Sequence, residues 1–163
     1  MPRKARVFWP VVTTWFLADC TTKDLAETHL FPHLPEPVLG DTVRWTLAYN
    51  QGAATGISLG QFSRVGFSLA ALIAVGVLFN MYRRVAPQAR LTALALALVI
   101  AGALGNLFDR LRSTRGVVDF IDLGIGSWRF WTFNIADVGV VCGAILLAWQ
   151  LSREPDPGEA TTA

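Results

Sequence analysis

Charge is scarce in this sequence. Only 16% of its 163 residues are charged and 53% are hydrophobic, against roughly 25% charged in an average soluble domain. That balance excludes a disordered chain, which needs low hydrophobicity and high net charge. Two cysteines exclude a disulfide-stapled secreted scaffold. Cys20 and Cys142 have no histidine near them in sequence, and buried thiols of that kind are usually inert. The two histidines, His29 and His33, share a loop without a ligand cluster at usable spacing, so no metal site is expected. No glycine-rich loop of the kind that cradles phosphate is present, and no cofactor is implied. Fourteen basic residues against 12 acidic ones, a net charge of +2, are too balanced to point to nucleic acid.

What the chain has instead is long apolar runs. Val65 to Tyr82 is uncharged and ends at Arg83-Arg84, and Leu91 to Phe108 is uncharged and ends at Asp109-Arg110. Trp131 to Leu151 carries one charge, Asp137. Runs of this length span about 27 to 32 Å as helices, the hydrocarbon thickness of a bilayer. The first apolar run, Val7 to Ala18, is shorter and follows the basic Arg3, Lys4 and Arg6. It has the outline of a signal peptide, and Leu17-Ala18-Asp19-Cys20 mimics a lipoprotein cleavage box, although such boxes want a small residue where Asp19 stands. The other reading is a helix over about 7–29, in which Asp19 and Lys23, four residues apart, share a face and pair. Charges at that depth need a partner and a protein-lined interior, and the pairing favours a true span.

The expected architecture is therefore an α-helical polytopic membrane protein. Its four transmembrane helices cover about 7–29, 65–82, 91–108 and 131–151, with loops over about 30–64 and 109–130 and a disordered polar tail over 152–163. The basic residues split almost evenly between the two sides. The N-terminal cluster then decides an orientation with both termini cytoplasmic. Thr42 to Tyr49 alternates with strand periodicity, and Val117 to Leu123 and Ser127 to Phe133 flank Gly124-Ile125-Gly126 as a hairpin. A small extracytoplasmic β element follows, rich in the aromatic residues (Trp45, Trp128, Phe130, Trp131) that suit the membrane interface.

Polar residues collect near the outer ends of these spans: Asp19 and Lys23 in the first, Asn106, Asp109 and Arg110 in the third, Asn134 and Asp137 in the fourth. Each costs a few kcal/mol in lipid unless it is satisfied, so groups at one depth should converge. Asp119 lies in the hairpin that folds back over them. Asp109-Arg110 also reads as a plain ion pair at a helix end, Asp119 and Asp122 as strand-end acids, and Asn50 and Gly52 as turn chemistry. Two aspartates in contact share one proton, the chemistry of an aspartic protease. A proton-coupled transporter using Asp137 and a non-catalytic membrane scaffold remain as the other readings.

Five segments occur in order: Asp19-Cys20-Thr21-Thr22-Lys23, Asn50-Gln51-Gly52-Ala53-Ala54, Gly102 through Arg110 (GALGNLFDR), Val117-Val118-Asp119-Phe120 and Phe133-Asn134-Ile135-Ala136-Asp137. Together they closely resemble the lipoprotein signal peptidases (signal peptidase II) of bacteria, over about residues 7–151. The resemblance implies a four-helix inner-membrane aspartic endopeptidase with its site near the outer leaflet. Asp119 and Asp137 would be the catalytic pair. Asp19, Lys23, Asn50, Gly52, Asn106, Arg110 and Asn134 would support the site or bind substrate. Its implied substrates are prolipoproteins whose cysteine carries a diacylglyceryl group, cut just before that cysteine. Membrane lipids are the only other expected partner, and nothing demands more than a monomer. Two departures stand out: the stretch from Arg110 to Asp119 is one residue longer than usual, and Thr55 replaces a commonly aromatic residue.

Overall fold

The computed structural model describes residues 2–52 and 62–153. Ala53, Ala54, Thr55 and nearly all of the expected polar tail lie outside the described residues. The described elements are α1 (Ala5–His29), β1 (Glu36–Leu39), β2 (Val43–Asn50), α2 (Ser63–Arg84), α3 (Arg90–Arg112), β3 (Val117–Ile125), β4 (Trp128–Arg129) and α4 (Ile135–Leu151). The protein is mostly helical, with one antiparallel sheet in the order β1-β2-β3-β4.

Two helices, α2 and α3, are long and apolar enough to cross a membrane, and α4 is an apolar helix of 17 residues. The 25-residue α1 is long enough but carries Arg6, Asp19, Lys23, Asp24 and Glu27. Helix α3 is the centre of the bundle, with α1, α2 and α4 all packed on it. Small residues of α3 and α4 permit this. A Cβ on Gly102 would collide with the Ala136 carbonyl of α4, one on Gly105 with the Asp19 carboxylate of α1, and one on Gly143 with the Ala95 carbonyl. The α2 helix instead presents Leu69, Leu72, Ile73 and Val77 outward, each more than half exposed. Hydrocarbon tails would solvate such a surface; water would not.

Two apolar clusters mark the two ends. At one end Phe8, Tyr82, Ala93, Leu96, Ala97 and Ile100 pack together, with the Phe8 and Tyr82 rings stacked at 3.7 Å between centroids. Lys4 lies over Tyr82 and donates to the Tyr82 carbonyl at 2.9 Å, meeting one of the orphan acceptors that end α2. At the other end Ala26, Leu47, Val118 and Phe120 pin the sheet to α1.

Several boundaries differ from the sequence expectation. Asn134 is extended and caps α4, so the fourth helix begins at Ile135 and Trp131–Phe133 approach it as extended chain. The third helix runs through Asp109-Arg110 to Arg112, because Asp109 finds a cation inside the bundle and gives the helix no reason to stop there. The hairpin's second arm is only Trp128–Arg129, with Phe133 rejoining β3 through a single bridge to Ile121. The expected strand at 42–49 is β2, but a register shift between Trp45 and Ala48 breaks its alternation. As a result Leu47 is buried while Trp45 is 37% exposed. β1 escaped the sequence reading because its four residues are all exposed and include Pro37.

Substituting Gly102→Val should cost about 1–3 kcal/mol through overpacking against the α4 backbone. Thermal unfolding in detergent checks this, and an unchanged midpoint would mean that α3 and α4 do not approach at Gly102.

Candidate active site

The site is assembled at the end of the bundle that carries the sheet. The α1 and α3 helices contribute polar residues from their C-terminal halves and α4 from its first turn and cap, and β2 and β3 lay two more across them. Lys23 is the innermost group. Its side chain is 1% exposed, and its Nζ stands 2.8 Å from Asp19 Oδ2 and 2.9 Å from Asp109 Oδ2. Its third donor goes to Asn106 Oδ1 at 2.9 Å. The two carboxylates have other work as well. Asp19 Oδ1 accepts the Ala136 N–H at 2.8 Å, and Asp109 Oδ2 accepts the Val118 N–H at 3.2 Å. One buried cation thus ties α1 to the start of α4 and to the start of β3. These contacts set aside the reading of Asp109-Arg110 as a plain ion pair at a helix end. Arg110 turns the other way, donating to the Asn106 carbonyl and the Gly52 carbonyl, both at 3.1 Å.

Three asparagines carry the order outward, each with its amide oxygen already occupied. Asn106 Oδ1 receives Lys23, so its Nδ2 donates to Asp137 Oδ1 at 2.8 Å. Asn134 Oδ1 receives the Asp137 N–H at 3.0 Å, so its Nδ2 donates to Asp119 Oδ1 at 2.6 Å. Asn50 Oδ1 receives the Gly52 N–H at 3.0 Å, so its Nδ2 donates to Asp119 Oδ2 at 3.1 Å. An amide has one acceptor end and one donor end, and filling the acceptor end aims the donor at a carboxylate. The pair Asn134 and Asp137 is also a capping box, since the Asn134 N–H donates back to Asp137 Oδ2 at 3.2 Å. Helix capping and site construction are here the same contacts.

Close packing fixes the β2 side. Gly116 has φ +111, and a Cβ there would strike the Asn50 carbonyl. Only glycine fits where the α3–β3 turn passes behind Asn50. Asp119, on β3, is buried. Burial and the nearby charge of Asp137 push its carboxyl up to about 7, outweighing the donors Asn50 and Asn134 and the Lys23 charge. Asp122, three residues on, behaves oppositely. Burial works against its charge, yet donors from Arg129, Arg44 and Thr46 hold it below the usual carboxylate range. Those bonds (Arg129 Nη2 2.7 Å, Arg44 Nη2 2.9 Å) make it a brace between strands rather than a reactive group.

A cavity of about 590 Å³ opens on Asp119 and Asp137. Asn50, Asn106 and Arg110 complete its polar end, and Phe67 of α2, Phe130–Phe133 and Val138, Val141 and Cys142 of α4 form its apolar walls. All nine residues singled out in the sequence fall in one region. Seven of them interlock directly in the network, with Arg110 and Gly52 at its rim. The apolar walls escaped the sequence reading. Val138, Val141 and Cys142 stand one, four and five residues after Asp137, so helical spacing from the carboxylate was the available signal.

The family model for signal peptidase (SPase) II matches residues 11–153. The chain belongs to the signal peptidase II family. A lipoprotein signal peptidase of Mycobacterium avium (strain 104) is 40% identical over 151 residues, 90% of this chain and 79% of the relative. One of Moorella thermoacetica (strain ATCC 39073 / JCM 9320) is 40% identical over 134 residues, 82% of this chain and 84% of the relative. A solved bacterial membrane enzyme superposes with a TM-score of 0.78 at 30% identity, covering 90% of both chains. The protein is therefore an aspartic peptidase of a bacterial membrane that cleaves signal peptides.

Lys23→Met should cost about 3–5 kcal/mol, because it leaves the Asp19 and Asp109 carboxylates buried without their cation. A fluorescence-monitored thermal melt of the purified variant measures it; wild-type stability would show that the carboxylates do not need Lys23.

Proposed function

We propose that Asp119 and Asp137 are the catalytic pair of this peptidase, and that it cuts diacylglyceryl-modified prolipoproteins just before the lipidated cysteine. The observation that carries the reading is the pair itself. Two carboxylates from different elements each accept from one shared residue, Asn134, Asp119 from its side-chain amide and Asp137 from its backbone N–H, and face one cavity. Asp19, Lys23, Asn50, Gly52, Asn106, Arg110 and Asn134 are the support.

The roles follow from the surroundings. Asp137 accepts from Asn106 and from the Asn134 backbone N–H, which leave its carboxylate facing the cavity as the base in this reading. Asp119, raised to about 7, holds the shared proton below neutral pH. Asp137 takes a proton from a water molecule as that water's oxygen attacks the scissile carbonyl carbon. Asp119 gives its proton to the carbonyl oxygen. When the tetrahedral intermediate collapses, the C–N bond breaks, the proton held by Asp137 goes to the leaving amine of the cysteine, and Asp119 recovers its own from the collapsing hydroxyl.

In our reading all four helices span the bilayer. The 17 residues of α4 reach about 25 Å, the lower limit for a span, and the two mid-helix charges of α1, Asp19 and Lys23, pair with each other and are met inside the bundle by α3 and α4. The sheet lies on the outer leaflet, with Trp128, Phe130 and Trp131 exposed at 68%, 45% and 60% as interfacial anchors. Both termini are then cytoplasmic, with the tail over 152–163 on that side. The active protein is a single multi-pass domain in the inner membrane and works as a monomer. Exposed apolar walls such as Val141 let a signal-peptide helix approach from the lipid, while the polar mouth admits water.

Cleavage of a diacylglyceryl-modified prolipoprotein by purified protein in detergent, followed by gel shift, tests the reading. Asp119→Asn and Asp137→Asn should each abolish the shift while leaving the fold intact; full cleavage by either folded variant would overturn the pair. A transporter would instead show transport that depends on Asp137 and is indifferent to Asp119. In the wild type, kcat/KM should fall as pH rises through about 7, because the proton on Asp119 is lost there. A profile flat from pH 6 to 9 would remove Asp119 as the acid.

A further inference from the structure

Outside the cavity, a second charged cluster joins the ends of the same elements. Glu27, half-buried near the end of α1, places Oε2 2.6 Å from Arg112 Nη2 of α3 and Oε1 2.6 Å from Arg115 Nη2 of the turn before β3. Oε1 also accepts the Tyr49 hydroxyl at 3.1 Å. Arg115 donates to that hydroxyl at 2.6 Å and lies over the Tyr49 ring at 4.4 Å. Tyr49 is held on three sides, by Glu27, by Arg115 and by its pairing with Val118 on β3. The next residue is Asn50, whose amide donates to Asp119 Oδ2. Arg112 also approaches Asp109, the partner of Lys23. None of the cluster lines the cavity.

We propose that Glu27 is a positioning residue for the peptidase reaction: through Tyr49 and Arg115 it sets the end of β2 so that Asn50 meets the Asp119 carboxyl. A carboxylate is required at this place. It must balance two guanidinium groups and accept from a phenol at once, which an amide of the same size cannot do. The charged groups that face Asp119 itself are Asp137 of α4, Lys23 of α1 and Arg110 of α3, and none of them belongs to the cluster. Loosening the cluster therefore reaches Asp119 only through the Asn50 donor. Loss of a donor to the ionised form favours the protonated form.

This inference rests on Asp119 being the acid. Its test is Glu27→Gln in the full-length protein, assayed on the diacylglyceryl-modified prolipoprotein across pH, with Tyr49→Phe as the milder variant and Asp119→Asn alongside. Glu27→Gln should lower kcat by about tenfold, short of the hundredfold that an ångström of misplacement can cost, with KM unchanged. The alkaline limb should move up by roughly half a pH unit. Tyr49→Phe, which keeps its ring and both ion pairs, should shift the limb the same way by less. A folded Glu27→Gln with wild-type kcat and limb would overturn the proposal, and so would a lowered melting point with an unmoved limb in both variants. Activity in Asp119→Asn would instead overturn the catalytic pair, a result distinct from either.

Discussion

One ammonium group inside the bundle governs the rest of the structure. Lys23 is almost wholly withdrawn from solvent, where a charge without partners would lose its charge or unfold the site. It is tolerable only because all three of its donors are met, by Asp19, Asp109 and Asn106. Those partners come from two helices, so the requirement of one cation dictates how α1 and α3 align along their axes. Each partner then imposes order on something else: Asp19 on the first turn of α4, Asp109 on the first residues of β3, and Asn106 on Asp137. A buried ion pair of this kind contributes little net stability compared with apolar packing. What it adds is a unique register.

The catalytic geometry in our reading is built from ordinary structural devices. A capping box starts α4 and also aims Asn134 at Asp119. A glycine with positive φ closes the α3–β3 turn and also lets Asn50 stand against the sheet. Small residues in α3 and α4 bring the helices close and also make room for the Asp19 carboxylate. Because the same contacts hold the fold and orient the carboxylates, the site needs little rearrangement to hold a reactive geometry. The contrast between Asp119 and Asp122 on one strand shows how local the effect is. Three residues apart, one faces a second carboxylate and amide donors, the other two guanidinium groups, and their proton affinities move in opposite directions.

Much of this was legible in the sequence. Long uncharged runs mark α2 and α3, since only a bilayer or a deep core accommodates them. Asp19 and Lys23 pair at the spacing of one helical turn, as expected, and Asn134 and Asp137 share a face three residues apart. Ordered motifs led to the signal peptidase II family, which the matches over 11–153 bear out. Local chemistry was enough for these because each depends on residues within a turn of one another, or on composition over a window.

Other features depended on residues far apart in the chain. Asp109 beside Arg110 is an obvious local pair, yet Lys23, 86 positions earlier, takes it instead, because neighbouring residues of a helix point to different faces and Asp109 is the one that turns into the bundle. The sequence could not place the Asn50 amide on Asp119 or the Asn106 amide on Asp137; those contacts bridge 69 and 31 residues. Nor could it show the Glu27 cluster, whose members are unremarkable surface charges until three elements end at one place. Helical periodicity and hydrophobic length determine which segments become helices. Only tertiary packing decides which polar groups are forced to satisfy each other, because that depends on which of them lose water together.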